Sequence, residues 1–250
     1  MRFIHSISAL MLALGVAACT EGAPAAHHVT ADPIALQAHL EFLASDELEG
    51  RDTGSRGHEI AAQYVATEFK RLGLEPAGDN GTYFQRIQFR RSYLVENSAA
   101  ITITNGDETI ALQYPKQFIT GPNAYSEHDD VEAPLVFVGY GLVSEAFGIN
   151  DYQGLDVTDK IVVMLTGRPE HLPSEEGAHL NSSKTKFAAE RGAVGIITLH
   201  TPAREKVRPF EVNAMYQRAP SVRWLHPNGE PNVAYKNLAA SAYIHHEAAE

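Results

Sequence analysis

The chain has 250 residues, of which 44% are hydrophobic and 20% are charged, a composition typical of a globular protein with one large domain or two small ones. Its formal net charge of −11 disfavours binding to nucleic acid or anionic lipid through a basic face. The 12 histidines are many for this length, so each cluster of them has to be weighed as a metal site.

Residues 1–18 are predicted to be a lipoprotein signal peptide. Arg2 supplies the positive start, and Ile7 to Val16 form an apolar run too short to span a bilayer. Small residues then precede Cys19, the only cysteine of the chain, which is therefore the predicted lipid attachment site. The alternative is an ordinary signal peptide with an incidental cysteine. Thr20, in place of aspartate, makes the sequence similar to Gram-negative lipoproteins of the outer membrane, so a lipid-anchored envelope location is expected.

Residues 19–31 are predicted to be a flexible tether. They are rich in alanine, contain Gly22 and Pro24, and show no periodic apolar face. The pair His27-His28 lies here, and no metal site is predicted from it, because a mobile tether cannot hold ligands in a fixed geometry.

Residues 32–130 open with a predicted helical hairpin. Asp32-Pro33 is an N-cap followed by proline, and the glycine-rich loop from Ser45 to Gly57 separates this first helix from a second one that ends near Leu72. On the first helix, Leu36, Leu40 and Leu43 share one face. The predicted buried stripe of the second consists of Ile60, Ala61, Tyr64, Val65, Phe69 and Leu72.

The exact sequence of this region is more informative about protein family than its hydrophobic pattern. The stretch LASDELEGRDTGSRGHEIAAQYVATEFKRLGLEPAGDNGTYFQ resembles the opening of the secreted di-zinc aminopeptidases, metallopeptidase family twenty-eight, whose relatives include glutamate carboxypeptidase and the transferrin receptor. The match is long and ordered. It implies that residues 32–130 are the N-terminal, incomplete segment of an aminopeptidase domain.

Three β-rich runs are predicted next, at Tyr83–Phe89, Ala99–Thr104 and Glu108–Gln113. The turn Asn105-Gly106-Asp107 joins the last two into a hairpin. The segment Glu127-His128-Asp129-Asp130 is interpreted as an acidic linker, because neighbouring side chains in one loop point in different directions.

From residue 131 onward the pattern predicts a small α/β layer. Buried strands are expected at Pro134–Tyr140, Ile161–Leu165 and Val194–Leu199, with a helix from Ser182 or Ser183 through Arg191. With the N-terminal helical hairpin and the β-hairpin, these elements predict a mixed α/β fold class.

This second region resembles the protease-associated domain, which many relatives of the aminopeptidase family carry as an insertion. The matching segments are LVFVGYG, NDYQGLDVTDKIVVMLTGRP and KFAAERGAVGIITL. Asp159 stands where that domain usually has glycine. The alternative is a nucleotide-binding domain, and neither a G-x-G-x-x-G nor a Walker loop follows any strand.

The C-terminal part is interrupted by prolines until a short strand predicted at Ala242 to His245. His246 to Glu250 are predicted to begin the final helix of the protease-associated domain. The domain is predicted to span residues 131–250 and to be cut short at this helix. His245-His246-Glu247 is accordingly interpreted as the frayed start of that helix and not as a zinc site.

The resemblance implies a reaction that uses two zinc ions to activate a water and polarise the scissile carbonyl. In the family the ligands follow the protease-associated insertion, beginning with an H-x-D motif at the end of a strand. This sequence is interpreted as having no H-x-D, with His128-Asp129 taken to lack the spacer. No catalytic, cofactor-binding or metal residue is therefore assigned, and no zinc is expected on this chain. Without the zinc-bearing sheet, the helix stripe would lack part of its cover.

Three hypotheses follow. The chain is the N-terminal and protease-associated portion of a zinc aminopeptidase, inactive alone; or a non-catalytic, lipid-anchored module that binds peptides or proteins; or a metal-binding lipoprotein that uses His27, His28, His245 and His246. The first is preferred. In each, the membrane is reached through the lipid alone and nucleic acid is not a partner.

Overall fold

The computed structural model of the chain describes residues 30–248, which divide into one unit up to Gln85 and a second from Arg86 onward. Helices and several β-sheets occur together, so the predicted mixed α/β class is confirmed. The predicted signal peptide at residues 1–18, Cys19 and the pair His27-His28 lie outside the described residues.

Two helices lie in the first unit, and the first begins where its predicted cap, Asp32-Pro33, places it. α1 spans Pro33–Leu43 and is capped by the Asp32 side chain, and α2 spans Arg56–Arg71 and is capped by the Ser55 side chain. Short 3-10 helices lie at Asp46–Arg51 and Asp79–Gly81. Both predicted helices are confirmed. Each begins at a side-chain acceptor, which satisfies a backbone N–H that the first turn of a helix leaves free.

Side chains of α1 and α2 contact each other within this unit. The Tyr64 hydroxyl of α2 lies 2.7 Å from Nδ1 of His39 on α1, and its ring centroid is 4.5 Å from that of Phe42. At the start of α2, Gly57 is pressed against the buried Leu48, and a Cβ placed there would lie 1.8 Å from the Leu48 carbonyl oxygen.

The apolar stripe of α2 is largely exposed. Ala61 is buried, whereas Phe69 is 41% and Leu72 is 62% exposed. The same holds for α1, where Leu36 and Leu40 are exposed. The predicted buried stripe of α2 is therefore wrong as to burial, because Ala61 is the one buried residue among the six predicted.

The second unit contains the strands and the shorter helices. Its strands are β1 (Phe89–Ser92), β2 (Ile101–Asn105), β3 (Glu108–Leu112), β4 (Phe118–Ile119), β5 (Leu135–Phe137), β6 (Val143–Ser144), β7 (Ile149–Asn150), β8 (Ile161–Leu165), β9 (Gly195–Leu199), β10 (Ser221–Trp224) and β11 (Ala240–Ile244). Its helices are α3 (Ser174–Ser182), α4 (Lys184–Ala189), α5 (Pro202–Val207), α6 (Phe210–Ala214) and a 3-10 turn, His246–Ala248.

A five-stranded sheet of order β4-β11-β9-β8-β5 forms the centre of this unit. β5, β8, β9 and β11 run parallel, and β4 pairs antiparallel with β11 at one edge. The chain passes from β8 to β9 through α3 and α4, as a parallel connection requires. β2 and β3 pair as the predicted hairpin, and the remaining two-stranded sheets are β1 with β10 and β6 with β7.

The central sheet is buried on both faces. On one face, Val162 and Met164 of β8 pack with Ala188 of α4. On the other, Ile197 of β9 packs with Leu112 of the β2–β3 hairpin. Apolar residues on both faces explain the continuous apolar runs of β8 and β9, which were predicted nearly to the residue.

Three sequence predictions are wrong in detail. The run Tyr83–Phe89 is not a strand; extended pairing begins at Phe89, where β10 provides a partner. The strand predicted at Pro134–Tyr140 is only Leu135–Phe137, and Phe137 is 57% exposed because β5 is the edge strand beside β8.

The third concerns the helix predicted from Ser182 or Ser183 through Arg191. It is shorter, ending at Ala189, and α3 precedes it, separated by Ser183. No helix among the described residues combines the length and apolarity needed to cross a bilayer.

Candidate functional site

A cluster of polar aromatic and acidic side chains lies at the carboxyl ends of two neighbouring strands. His200 follows β9 directly, and His245 and His246 follow β11. The strands are parallel and in register, with Ile244 opposite Leu199, so residues just beyond them meet at one edge of the sheet. In open α/β sheets this edge is where ligands bind.

The helix that follows β9 adds a carboxylate to this cluster. Thr201 caps α5 with its side chain, and Glu205 lies one turn further along. Its Oε2 atom is 2.7 Å from Nε2 of His200 and accepts a hydrogen bond of 3.0 Å from the Phe210 backbone N–H. Both hydrogen bonds that described residues make to this carboxylate end on Oε2, which leaves Oε1 available.

His200 is 1% exposed, and both of its ring nitrogens are engaged. Nε2 faces the Glu205 carboxylate and therefore carries the proton, while Nδ1 accepts from the Tyr243 hydroxyl. Burial lowers the pKa of His200. The pKa of Glu205 is also lowered, mainly by the hydrogen bond from the Phe210 N–H and to a smaller extent by the hydrogen bond from His200. At neutral pH the pair is therefore a neutral imidazole donating to a carboxylate.

The two adjacent histidines stack on each other beside this carboxylate. The ring centroids of His245 and His246 are 4.4 Å apart, with an interplanar angle of 29°. One potential ligand atom from each of Glu205, His245 and His246 lies within 4.8 Å of the others. Among residues 30–248, no other three His, Cys, Asp or Glu side chains meet this closely.

The two rings differ in their surroundings. Nδ1 of His245 accepts from the Glu247 backbone N–H at 3.2 Å and lies 3.9 Å from the Glu247 carboxylate. Nδ1 of His246 is buried and has no hydrogen-bond partner within the described range, 30–248. Such an atom is exceptional in a folded protein and requires an explanation.

An open cleft of ≈ 450 Å³ lies beside the cluster, and the two share Tyr243. Polar side chains line most of it, among them Thr166, Arg204 and Gln217, and the Gln217 Oε1 atom is buried without a partner among the described residues. The arrangement can therefore hold a cation on the cluster and a polar ligand in the cleft.

The residues weighed from the sequence lie in different places. Cys19 falls outside the described residues. The interpretation that the sequence has no H-x-D is wrong, because His128-Asp129-Asp130 has this spacing, although it lies in an exposed loop and follows no strand. There the Asp129 carboxylate accepts a hydrogen bond from the Asn123 side chain at 2.8 Å.

Sequence reasoning missed the meeting of His245 and His246 with His200 and Glu205. The histidines carried a usable signal, since each follows an apolar strand and the carboxyl ends of parallel strands share an edge. Glu205 carried none, because 40 residues separate it from His245. Only the pairing of β9 with β11 brings them together.

Comparison with known proteins gives one partial match. No protein-family model matches the chain. A stretch of 102 residues, 40% of the chain, is 28% identical to SHC SH2 domain-binding protein 1 homolog A of Xenopus laevis. The match spans 14% of that protein's length.

Proposed function

We propose that this chain provides the N-terminal segment and a protease-associated module of a zinc-dependent aminopeptidase, an enzyme that hydrolyses peptides from the N-terminus. The parallel strands β5, β8 and β9, which are neighbours in the central sheet, carry the proposal, because they and most of α4 arise from the segments that resemble the protease-associated domain. The two catalytic zinc ions of such an enzyme are assigned to no residue of this chain.

The exposed helix faces of the first unit support the same proposal. In the resembling family, the segment before the insertion packs on the zinc-bearing sheet. Leu40 of α1 and Leu72 at the end of α2 are 68% and 62% exposed, which is unfavourable for side chains of this size in water. Such faces suit packing against further polypeptide of the catalytic domain.

An activity assay on the native protein tests the proposal. A tag inserted in the Asn105-Gly106-Asp107 turn, away from the cluster in the chain, allows isolation from its own cells. The isolate should hydrolyse chromogenic aminoacyl substrates, lose this activity with chelator and regain it with zinc. The 250-residue chain assayed alone should show no turnover.

Two outcomes contradict the proposal. A native isolate without zinc-dependent turnover argues against an aminopeptidase. Chelator-sensitive turnover by the 250-residue chain alone would mean that the chain builds a catalytic site of its own, and the assignment of zinc ligands to a different part of the protein would be wrong.

The second candidate function is a non-catalytic module that binds peptides or proteins, and the polar cleft beside Tyr243 favours it. A library of short synthetic peptides, titrated into isotope-labelled chain and followed by NMR, tests it. Binding should shift the amide signals of Thr166, Asn213 and Gln217, and Arg204→Ala should weaken it. Shifts elsewhere, or none, contradict this role. The Xenopus laevis protein is named for binding an SH2 domain, and the short match gives no support for transferring that property.

Lipid anchoring through Cys19 at the outer membrane is part of the proposal. Metabolic labelling with a palmitate analogue should mark the chain, and Cys19→Ala should abolish both labelling and recovery with the membrane fraction. Labelling that survives this substitution contradicts the anchor.

A further inference from the structure

The ligand set of the cluster is one that binds transition metals. Glu205, His245 and His246 supply a carboxylate and two imidazoles whose ligand atoms lie within 4.8 Å of one another. Two histidines and a glutamate, with one position left for water, is a recurrent arrangement for zinc. Oxygen-preferring cations such as Mg²⁺ and Ca²⁺ do not favour imidazole ligands.

One ring nitrogen of His246 has no hydrogen-bond partner among the described residues. Nδ1 of His246 is buried and makes no hydrogen bond to any residue in the described range. A buried nitrogen of this kind forfeits its hydrogen bond with water and gains nothing in exchange. Coordination of a cation by Nδ1 itself would supply the missing interaction.

Hydrogen bonds from neighbouring residues fix the position of the Glu205 carboxylate. His200 and the Phe210 N–H fix Oε2 of Glu205, and Tyr243 in turn fixes the ring of His200. This chain of hydrogen bonds resembles the outer-shell contacts that orient metal ligands, and Oε1 stays available. The Glu205 side chain is 30% and the His245 side chain 18% exposed, so an ion can enter from solvent.

We propose that Glu205, His245 and His246 bind one divalent transition-metal ion, zinc in the first instance, at the carboxyl ends of β9 and β11. The ion has three protein ligands and an open coordination position. His200 is a positioning residue that acts through Glu205. This inference goes beyond the proposed function, since a chain with or without aminopeptidase partners can carry the site.

Titration of the purified full chain with Co²⁺ and Zn²⁺ tests the site. Co²⁺ is the spectroscopic probe, because low-coordinate cobalt bound to imidazole and carboxylate absorbs visibly and zinc displaces it. One equivalent should bind saturably. His246→Ala, His245→Ala and Glu205→Gln should each weaken binding by about 100-fold or more, because a three-ligand site loses a ligand.

Matched controls separate this site from other histidines. His171→Ala removes an exposed histidine of the same unit, and His27→Ala/His28→Ala removes the pair before the described residues. Both variants should bind Co²⁺ as the unaltered chain does. Loss of binding in the His27/His28 variant, with retention in His246→Ala, would overturn the proposal, and so would the lack of any saturable binding.

The role of His200 has its own test. His200→Leu removes the donor to Glu205 and should weaken Co²⁺ binding about 10-fold to 100-fold and alter the cobalt spectrum. His200→Gln retains an N–H donor and should recover part of the affinity. Circular dichroism establishes that each variant is folded. Folded variants that all bind with unchanged affinity and spectrum contradict the site.

Discussion

At the scale of single residues, Lys184 is the buried charge that most clearly links pH to stability. It is 6% exposed, and its ammonium group donates to the backbone carbonyls of Leu165 and Gly167. Burial lowers its pKa from 10.5 to about 8, although the Asp151 carboxylate raises it in part. The carbonyl bonds do not fully replace the water that a charged ammonium loses.

The free energy of unfolding should therefore rise between pH 8 and 10.5, where the unfolded chain binds more protons at this lysine than the folded chain does. Relative to Lys184→Met, the unaltered chain should gain up to about 3 kcal/mol across this range. Urea unfolding at pH 7, 9 and 10.5 measures the difference. The exposed Lys206→Met serves as the control, and an equal pH profile in both variants would refute a lowered pKa.

At Gly57 a glycine is required because the Leu48 backbone leaves no room for a Cβ atom, and not because of an unusual backbone conformation. An added Cβ would lie 1.8 Å from the Leu48 carbonyl oxygen, a backbone atom that cannot move independently. Gly57→Ala should destabilise the first unit by about 2 kcal/mol or more. Thermal unfolding monitored by circular dichroism measures this. Gly121→Ala, where an added methyl meets no atom within 4 Å, should be close to neutral.

At the scale of elements, the caps decide where the two long helices begin. Ser55 accepts a hydrogen bond from the His58 N–H at 3.2 Å, at the point where the glycine-rich loop becomes α2. Because few side chains of α2 are buried, local capping contributes a large share of its stability.

Ser55→Ala should cost about 1 kcal/mol of helix stability, and Ser55→Asp should retain the cap. Amide hydrogen exchange across the first turn of α2 measures the effect locally. The alanine variant should exchange faster at His58 and Glu59, while the aspartate variant stays near the original rate. Equal exchange in all three chains would show that Ser55 does not cap this helix.

At the scale of the whole molecule, exposed apolar side chains should govern solubility. Leu36 and Leu40 on α1, and Phe69 and Leu72 at the end of α2, are all more than 40% exposed. Exposed apolar faces of this kind promote association in water. The second unit buries apolar side chains on both faces of its central sheet and also exposes others, such as Val207 and Met215.

Residues 20–250 should therefore self-associate in sedimentation velocity, in a concentration-dependent way. Leu40→Glu/Leu72→Glu should shift the chain toward monomer, whereas Gln63→Glu/Thr67→Glu adds the same charge to α2 alone and should not. A sharply monomeric unaltered chain, or equal shifts in both double variants, would count against association through the apolar faces.

Several local elements and the mixed α/β fold class could be predicted from the sequence alone. The Asp32-Pro33 cap located the start of α1, and 3.6-residue periodicity located α2. Two β-rich runs around Asn105-Gly106-Asp107 located the β2–β3 hairpin, and continuous apolar runs located β8 and β9. These elements depend on residues a few positions apart in the chain, so local sequence patterns are enough to predict them. The protease resemblance and the anchor at Cys19 also come from the sequence, and both stay predictions.

Only the tertiary structure decided which distant residues meet. The pairing of β9 with β11 places His200, His245 and His246 at one edge, and the turn into α5 brings Glu205 beside them. It also made β5 an exposed edge strand and left the helix faces uncovered. Strand order and burial depend on contacts between segments far apart in the chain, which periodicity within a segment cannot encode.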